Sequence, residues 1–352
     1  MKIYKQAKVG SEILDIKVED GKIIALGKFS EDGIHLKGMR VFPGLIDIHV
    51  HGCKNHDAMQ PEYLLTMSEF WASKGTTSWL PTTMTASHEE LCQVVNITLP
   101  QGRGANILGF HLEGPYISMK YKGAQNPEFV RNPDIEEFNQ LKNIQLVTLA
   151  PETEGAMAFI KNCGAKVALG HTDADYACAI SAIEAGASCL THTFNAMTPL
   201  HHRNPGVIGA AIEKEIYVQV ICDGVHVHPS VVKMLYKTFG PERMILISDA
   251  LAATGMEDGK YVSGGLDVTV KNGVARLNDG TIAGSTSTLL DCVKKAVSFG
   301  IPLEDAMQMA SRTPAEYLEV SKGRIAEGYD ADFIVLDESL DVVMTVIGGQ
   351  RV

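Results

Sequence analysis

The segment LIDIHVHG, residues 45 to 52, sets His49 and His51 one residue apart. In a strand, residues two apart point to one face, so Asp47, His49 and His51 are expected on one side and Ile46, Ile48 and Val50 on the other. Two imidazoles projecting together suit a metal ion, but the same spacing fits a polar edge strand or histidines satisfied in a core. Other reactive residues must decide, and they recur in one pattern. Glu113 lies in HLEGP, His171 in GHT, His192 in THTFNAM, His226 in DGVHVHP and Asp249 in ISDALAATG. Each ends a short apolar run. Imidazole nitrogen and carboxylate oxygen suit Zn, Fe, Co or Mn rather than Mg or Ca, and a catalytic site keeps a position open for water. His49, His51, Glu113, His171, His192 and Asp249 supply six ligands of that kind, enough for one or two divalent transition-metal ions with a carboxylate between them.

The elements that must position these residues follow from the spacing of apolar side chains. Eight short runs rich in Val, Ile, Leu and Thr start at residues 44, 76, 106, 144, 165, 188, 216 and 243. Between them lie stretches such as YACAISAIEAG and PSVVKMLYKTFG, where apolar residues recur at three to four and a glycine ends the run, as in helices. Eight alternating units predict an α/β fold, a (β/α)8 TIM-type barrel, in which the C-terminal strand ends converge on one mouth. The barrel is expected over 44–322. Residues 255–288 break its rhythm with glycine-rich turns and predict a β insertion over the mouth. Residues 1–43, with a hairpin signal at Asp20-Gly21, and the tail 323–352 predict a small β-sandwich domain built from both chain ends.

Composition excludes several partners. The chain has 352 residues, 45% hydrophobic and 21% charged, with a formal charge of -11, which argues against a nucleic-acid or anionic-membrane surface and points to a small-molecule substrate. No apolar run approaches the roughly 18 residues of a transmembrane helix, and no leader pattern precedes the first strand. A cytoplasmic protein is expected. Seven cysteines without a C-x-x-C pair suit reduced thiols, and Cys53 reads as a free structural thiol.

The motif PGLIDIHVHG, the later strand-end histidines and the SDA of the eighth run resemble the amidohydrolase superfamily of metal-dependent hydrolases. HLEGPYIS, KGAQNPEF, GHT, THTFNAM, HHRNPGVIGA, DGVHVHP, ISDALAATG and DGTIAGS resemble one family within it, the N-acetylglucosamine-6-phosphate deacetylases. The resemblance spans nearly the whole chain. It implies hydrolysis of the acetamide of N-acetylglucosamine 6-phosphate, with Glu113, His171 and His192 as core metal ligands, Zn as the first choice of ion and Fe, Co or Mn as alternatives. His49 and His51 imply a second ion with Glu113 bridging, because LVTLAPE in the fourth run has no lysine to take that role. Asp249 matches the family's catalytic aspartate and His226 the histidine near the substrate amide. Ala124, Gln125, Asn195 and Ala196 match substrate contacts, although some relatives have histidine where Gln125 stands. Ile282, Ala283 and Gly284 match a loop over the sugar. Arg203 matches a phosphate-binding arginine that a neighbouring subunit supplies, which implies a homodimer.

Other readings stay open at this level. The same frame could serve a galactosamine-epimer deacetylase, a dihydroorotase-like cyclic amidase, an aminoacylase or a metal-free scaffold. His111, two residues before Glu113, is expected to pack inside the barrel rather than to bind metal. His201 and His202 are open between solvation and phosphate contact, and Glu152 is expected to pair with a loop cation.

Overall fold

Strand Leu45–Val50, which carries His49, is buried along its whole length. A strand covered on both faces belongs in a parallel sheet flanked by helices. It pairs in parallel with Thr76–Thr83, and the sheet continues through Phe110–Glu113, Ile144–Leu149, Lys166–Leu169, Cys189–Leu190, Tyr217–Ile221 and Met244–Ile247. The computed structural model, which describes all 352 residues, thus contains a strand in each of the eight apolar runs. The eighth strand returns to the first at the mouth. Val50 bridges Ala250, Asp249 N donates to His49 O at 3.0 Å, and His51 N donates to Ala250 O at 2.8 Å. That closure completes the (β/α)8 barrel.

Strict alternation fails in the first strand. Ile46 and Ile48 pack with Leu80, Leu146, Ile245 and Ile247, whereas Val50 joins the larger core shared with the helices. The ladder shifts register between Asp47 and Val50, and an irregularity of this type re-aims the side chains beyond it. Asp47 does not join the cluster that the two histidines form: its Oδ1 accepts from Ser248 N at 3.3 Å and from His49 N at 3.4 Å.

The helices form where the periodicity predicts them. Tyr176–Ala185 starts at Asp175, whose carboxylate accepts from Cys178 N at 2.8 Å, and buries Ala179 and Ala182. Pro229–Phe239 buries Val232, Leu235 and Phe239, and its chain turns away at Gly240 with φ +66°. The sixth strand is the shortest. Its ladder is only Cys189–Leu190, because the backbone leaves the sheet at once to carry His192 into the mouth.

Both chain ends meet in one further sheet of eight strands. Strand Phe333–Leu336 pairs antiparallel with Arg40–Pro43, and Asp20-Gly21 turns the hairpin between Glu12–Glu19 and Lys22–Gly27. Side chains from both ends of the chain, among them Tyr4, Ile16, Ile23, Val41, Phe333 and Val346, share one core. Tyr4 meets Phe333 edge to face at a centroid distance of 4.9 Å. A third sheet, Gly259–Ser263, Leu266–Lys271 and Val274–Arg276, lies in the stretch that breaks the barrel rhythm and contributes Leu266 and Val268 to the wall of the mouth cavity.

Candidate active site

Glu113 ends the third barrel strand, and its carboxylate is 2% exposed at the focus of four imidazoles. His192 Nε2 lies 3.0 Å from Oε1, His171 Nε2 and His49 Nε2 each 3.2 Å from Oε1, and His51 Nε2 3.1 Å from Oε2. Asp249 Oδ1 lies 3.4 Å from His51 Nε2 and 3.5 Å from His49 Nε2. Two groups of three share the glutamate: His49, His51 and Glu113, and Glu113, His171 and His192. Strand ends alone do not aim these side chains. His171, His192 and Asp249 take left-handed backbone at φ +48°, +26° and +49°, a region that non-glycine residues adopt at a cost and that clusters at functional sites. Gly284 is held to glycine here: at φ +59°, a Cβ would stand 2.9 Å from Asp249 O.

The outer nitrogens of three rings report how the inner ones are charged. His49 Nδ1 faces Gln219 Oε1 at 3.2 Å, His51 Nδ1 faces Thr82 O at 3.1 Å, and His171 Nδ1 faces Tyr121 O at 2.8 Å. Carbonyl oxygens only accept, so each Nδ1 carries a hydrogen and each neutral ring turns a lone pair inward at Nε2. The Nε2 atoms of His49 and His51 are 3.2 Å apart, and those of His171 and His192 are 3.1 Å apart. Facing lone pairs at that separation beside a carboxylate repel unless positive charge sits among them, so the donor set fits a divalent cation. The electrostatics show the same demand for positive charge at the centre of the cluster, which the carboxylates would otherwise place on the rings. Burial raises the Glu113 pKa, but His49 and the other rings outweigh it and hold the carboxyl well below its usual range. Asp249 is raised by burial yet brought down to about 2, first by His49 and then by His51. Burial lowers the His51 pKa, and Asp249 and Glu113 reverse this and push it well up.

The cavity above this cluster is a cleft open to solvent on one side. His51, Glu113, His171, His192, His226 and Asp249 line it together with Ala124, Gln125, Asn195, Ala196, Ile282, Ala283 and Gly284. His49 lies beneath it and is fully buried. Arg203 is elsewhere: it is exposed, its Nη1 2.7 Å from His202 Nε2, and no lysine or arginine of this chain lines the cavity.

His111 lies inside the barrel. Its Nδ1 faces Ile48 O at 3.1 Å, its Nε2 faces Thr148 Oγ1 at 2.7 Å, and burial followed by the neighbouring His49 holds its pKa well down. Glu152 has no cation. It accepts from Thr172 Oγ1 at 2.5 Å and Asp173 N at 2.6 Å, because the chain after His171 turns back over it and offers donors first. Cys53 is buried and its thiol is pushed far up by desolvation, as an inert structural thiol requires. Two partners were missed by sequence reasoning. Gln219 sits in the apolar run YVQVI with no motif around it, whereas Asp223, three residues before His226 in CDGVH, carried a readable signal.

A site of this shape defines a metal-dependent hydrolase, and comparison with known proteins gives its class. The amidohydrolase family model matches residues 40–352. The N-acetylglucosamine-6-phosphate deacetylase of Bacillus subtilis (strain 168) is 38% identical, covering 88% of this chain and 83% of that protein. The enzyme of the same name from Vibrio furnissii is 39% identical, with 95% and 89% covered. The N-acetylgalactosamine-6-phosphate deacetylase of Escherichia coli O157:H7 is 36% identical, with 95% and 93% covered. Among solved structures, a variant of the Mycobacterium smegmatis N-acetyl-D-glucosamine-6-phosphate deacetylase in complex with N-acetyl-D-glucosamine-6-phosphate superposes with a TM-score of 0.91 at 34% identity, over 99% of this chain and 98% of that one. The chain belongs to the amidohydrolase family, and within it to the N-acetylglucosamine-6-phosphate deacetylases.

Proposed function

We propose that this chain hydrolyses the acetamide of N-acetylglucosamine 6-phosphate to acetate and glucosamine 6-phosphate, using a divalent transition metal held by His49, His51, Glu113, His171 and His192. The observation that carries this reading is the convergence of four imidazole Nε2 atoms on the two oxygens of Glu113 in the floor of one cavity. The imidazole-rich donor set favours Zn, with Fe, Co or Mn as alternatives, and the two triads that share Glu113 provide for two ions. When bound, such a cation lowers the pKa of a water from 15.7 toward about 7 and polarises a carbonyl oxygen.

The remaining work falls to the chain's own groups. Asp249, ionised at neutral pH, accepts the proton of the attacking water and then delivers it to the amine as the carbon–nitrogen bond breaks. His226 donates a hydrogen bond to the acetyl oxygen as negative charge develops there. Asn195, Ala196, Ala124 and Gln125 border the sugar, and Ile282, Ala283 and Gly284 cover it. A phosphate dianion needs a cation, and the cavity has no lysine or arginine of its own. Arg203 from a second copy meets that need in a homodimer. A cytoplasmic setting suits the seven unpaired cysteines. A second reading, hydrolysis of the galactosamine epimer, is favoured by the Escherichia coli O157:H7 relative and is tested with the same assay.

The test is acetate release by metal-loaded protein and by Asp249→Asn. The variant is expected to keep its metal and lose turnover by about 100-fold or more. Turnover retained within about tenfold contradicts the role given to Asp249.

A further inference from the structure

Of the titratable side chains that line the cavity, His51, Glu113, His171 and His192 belong to the two triads, Asp249 lies against His51 at 3.4 Å, and His226 stands apart from all of them. With no lysine or arginine in the wall, a protonated His226 is the only positive side chain this chain can present to an acyl oxygen. What holds His226 is unusual in its completeness. Asp223 Oδ2 lies 2.7 Å from Nδ1, and both side chains are 6% exposed. The other oxygen accepts from Val225 N at 2.8 Å and His226 N at 2.9 Å, so the carboxylate cannot turn. Gly224 at φ +82° lets the loop fold back far enough to make these bonds. Asp223 does not line the cavity.

We propose that Asp223 is a positioning residue for His226: it fastens the Nδ1 proton, fixes the ring, and leaves the Nε2–H of a protonated imidazole as the donor that meets the acyl oxygen. This inference rests on the reaction proposed above. A carboxylate on one ring nitrogen makes the other a charge-assisted donor, which is roughly twice as strong as a neutral one. The charged groups around the ring are Asp223 on its own loop and Asp249 across the cavity, while Lys295 of the helix Leu289–Ser298 packs on Gly224. Burial lowers the His226 pKa, and Asp223 reverses this and raises it.

Asp223→Asn keeps the size and one oxygen for the two backbone N–H groups but removes the charge. Its kcat is expected to fall about 10- to 100-fold with KM within about threefold and metal content unchanged. In a His226→Gln background, the same substitution is expected to cost less than about threefold more, since Asp223 acts through that ring. A kcat for Asp223→Asn within about threefold of wild type, or an equal further loss in the His226→Gln background, overturns the proposal. The ring titration of His226, followed by NMR with labelled histidine in metal-loaded protein, reads the same claim without substrate. A ring charged at neutral pH in the wild type supports it and a neutral one overturns it, even if Asp223→Asn does not fold. Wild-type protein that releases no acetate refutes the proposed reaction instead, and the titration still decides what Asp223 does.

Discussion

Gln125 donates its side-chain amide to Glu113 Oε2 at 2.7 Å while its own carbonyl accepts from Thr85 N at 2.7 Å. The second bond fixes which end of the amide faces the glutamate, so Gln125 orients the carboxylate shared by both metal triads. The residue lines the cavity, but these two polar contacts are with protein and not with space for a sugar. Its spacing behind Ala124 could not disclose that.

Gln125→Leu removes the brace from Glu113 and leaves Thr85 N buried without a partner. Metal affinity is expected to fall about 10- to 100-fold, as for partners that orient metal ligands in other enzymes. Competitive chelator titration with metal analysis measures it. Affinity unchanged from wild type would mean that Glu113 is held by the histidines alone.

His111→Leu separates a structural histidine from a ligand. The Nδ1 hydrogen goes to Ile48 O, so Nε2 accepts from Thr148, and Thr148 in turn pairs with Thr191 Oγ1 at 2.7 Å. The variant leaves these buried groups unpaired and is expected to lose about 2–4 kcal/mol of stability, with metal stoichiometry preserved. Denaturant unfolding and metal analysis check both halves. Loss of an ion at full stability would make His111 a ligand.

Lys322 ties the tail to the barrel. Its ammonium lies 2.6 Å from Asp332 and 2.7 Å from Asp330. Burial lowers its pKa, but Asp332 and then Asp330 outweigh that and raise it. Burial raises Asp330, and Lys22 and Lys322 bring it below its ordinary value. The lysine's contribution is therefore full below its ordinary pKa and is lost as pH rises through the raised one. The aspartate's is full above its ordinary pKa and is lost as pH falls through the depressed one. Lys322→Met is expected to cost about 2–3 kcal/mol at neutral pH, since Asp332 keeps Gly348 N as a donor. The gap to wild type should hold between about pH 5 and 9 and shrink below about pH 3.5. Thermal unfolding across that range tests it.

The eight strands were legible because each is a short apolar run ending on a polar residue, and the convergence of His49, His51, Glu113, His171 and His192 was legible because those residues share one chemistry. Backbone conformation was not. The register shift between Asp47 and Val50 breaks a two-residue period that the letters LIDIHV follow, and the left-handed turns at His171, His192 and Asp249 have no signature in residue type. Partners distant in the chain were equally hidden. Gln219 reaches His49 across 170 positions, and Glu152 finds Thr172 and Asp173 where a loop cation was expected. Asp223 was the exception, since local spacing alone brings it to His226.

The most direct test compares acetate release by metal-loaded protein from N-acetylglucosamine 6-phosphate and from N-acetylglucosamine, with Arg203→Ala as a third arm. Release from the phosphorylated sugar alone, lost in the variant, is the predicted result, since the proposed anchor for the phosphate is Arg203 of a second copy. Equal release from both sugars, or full activity of the variant, would contradict the account.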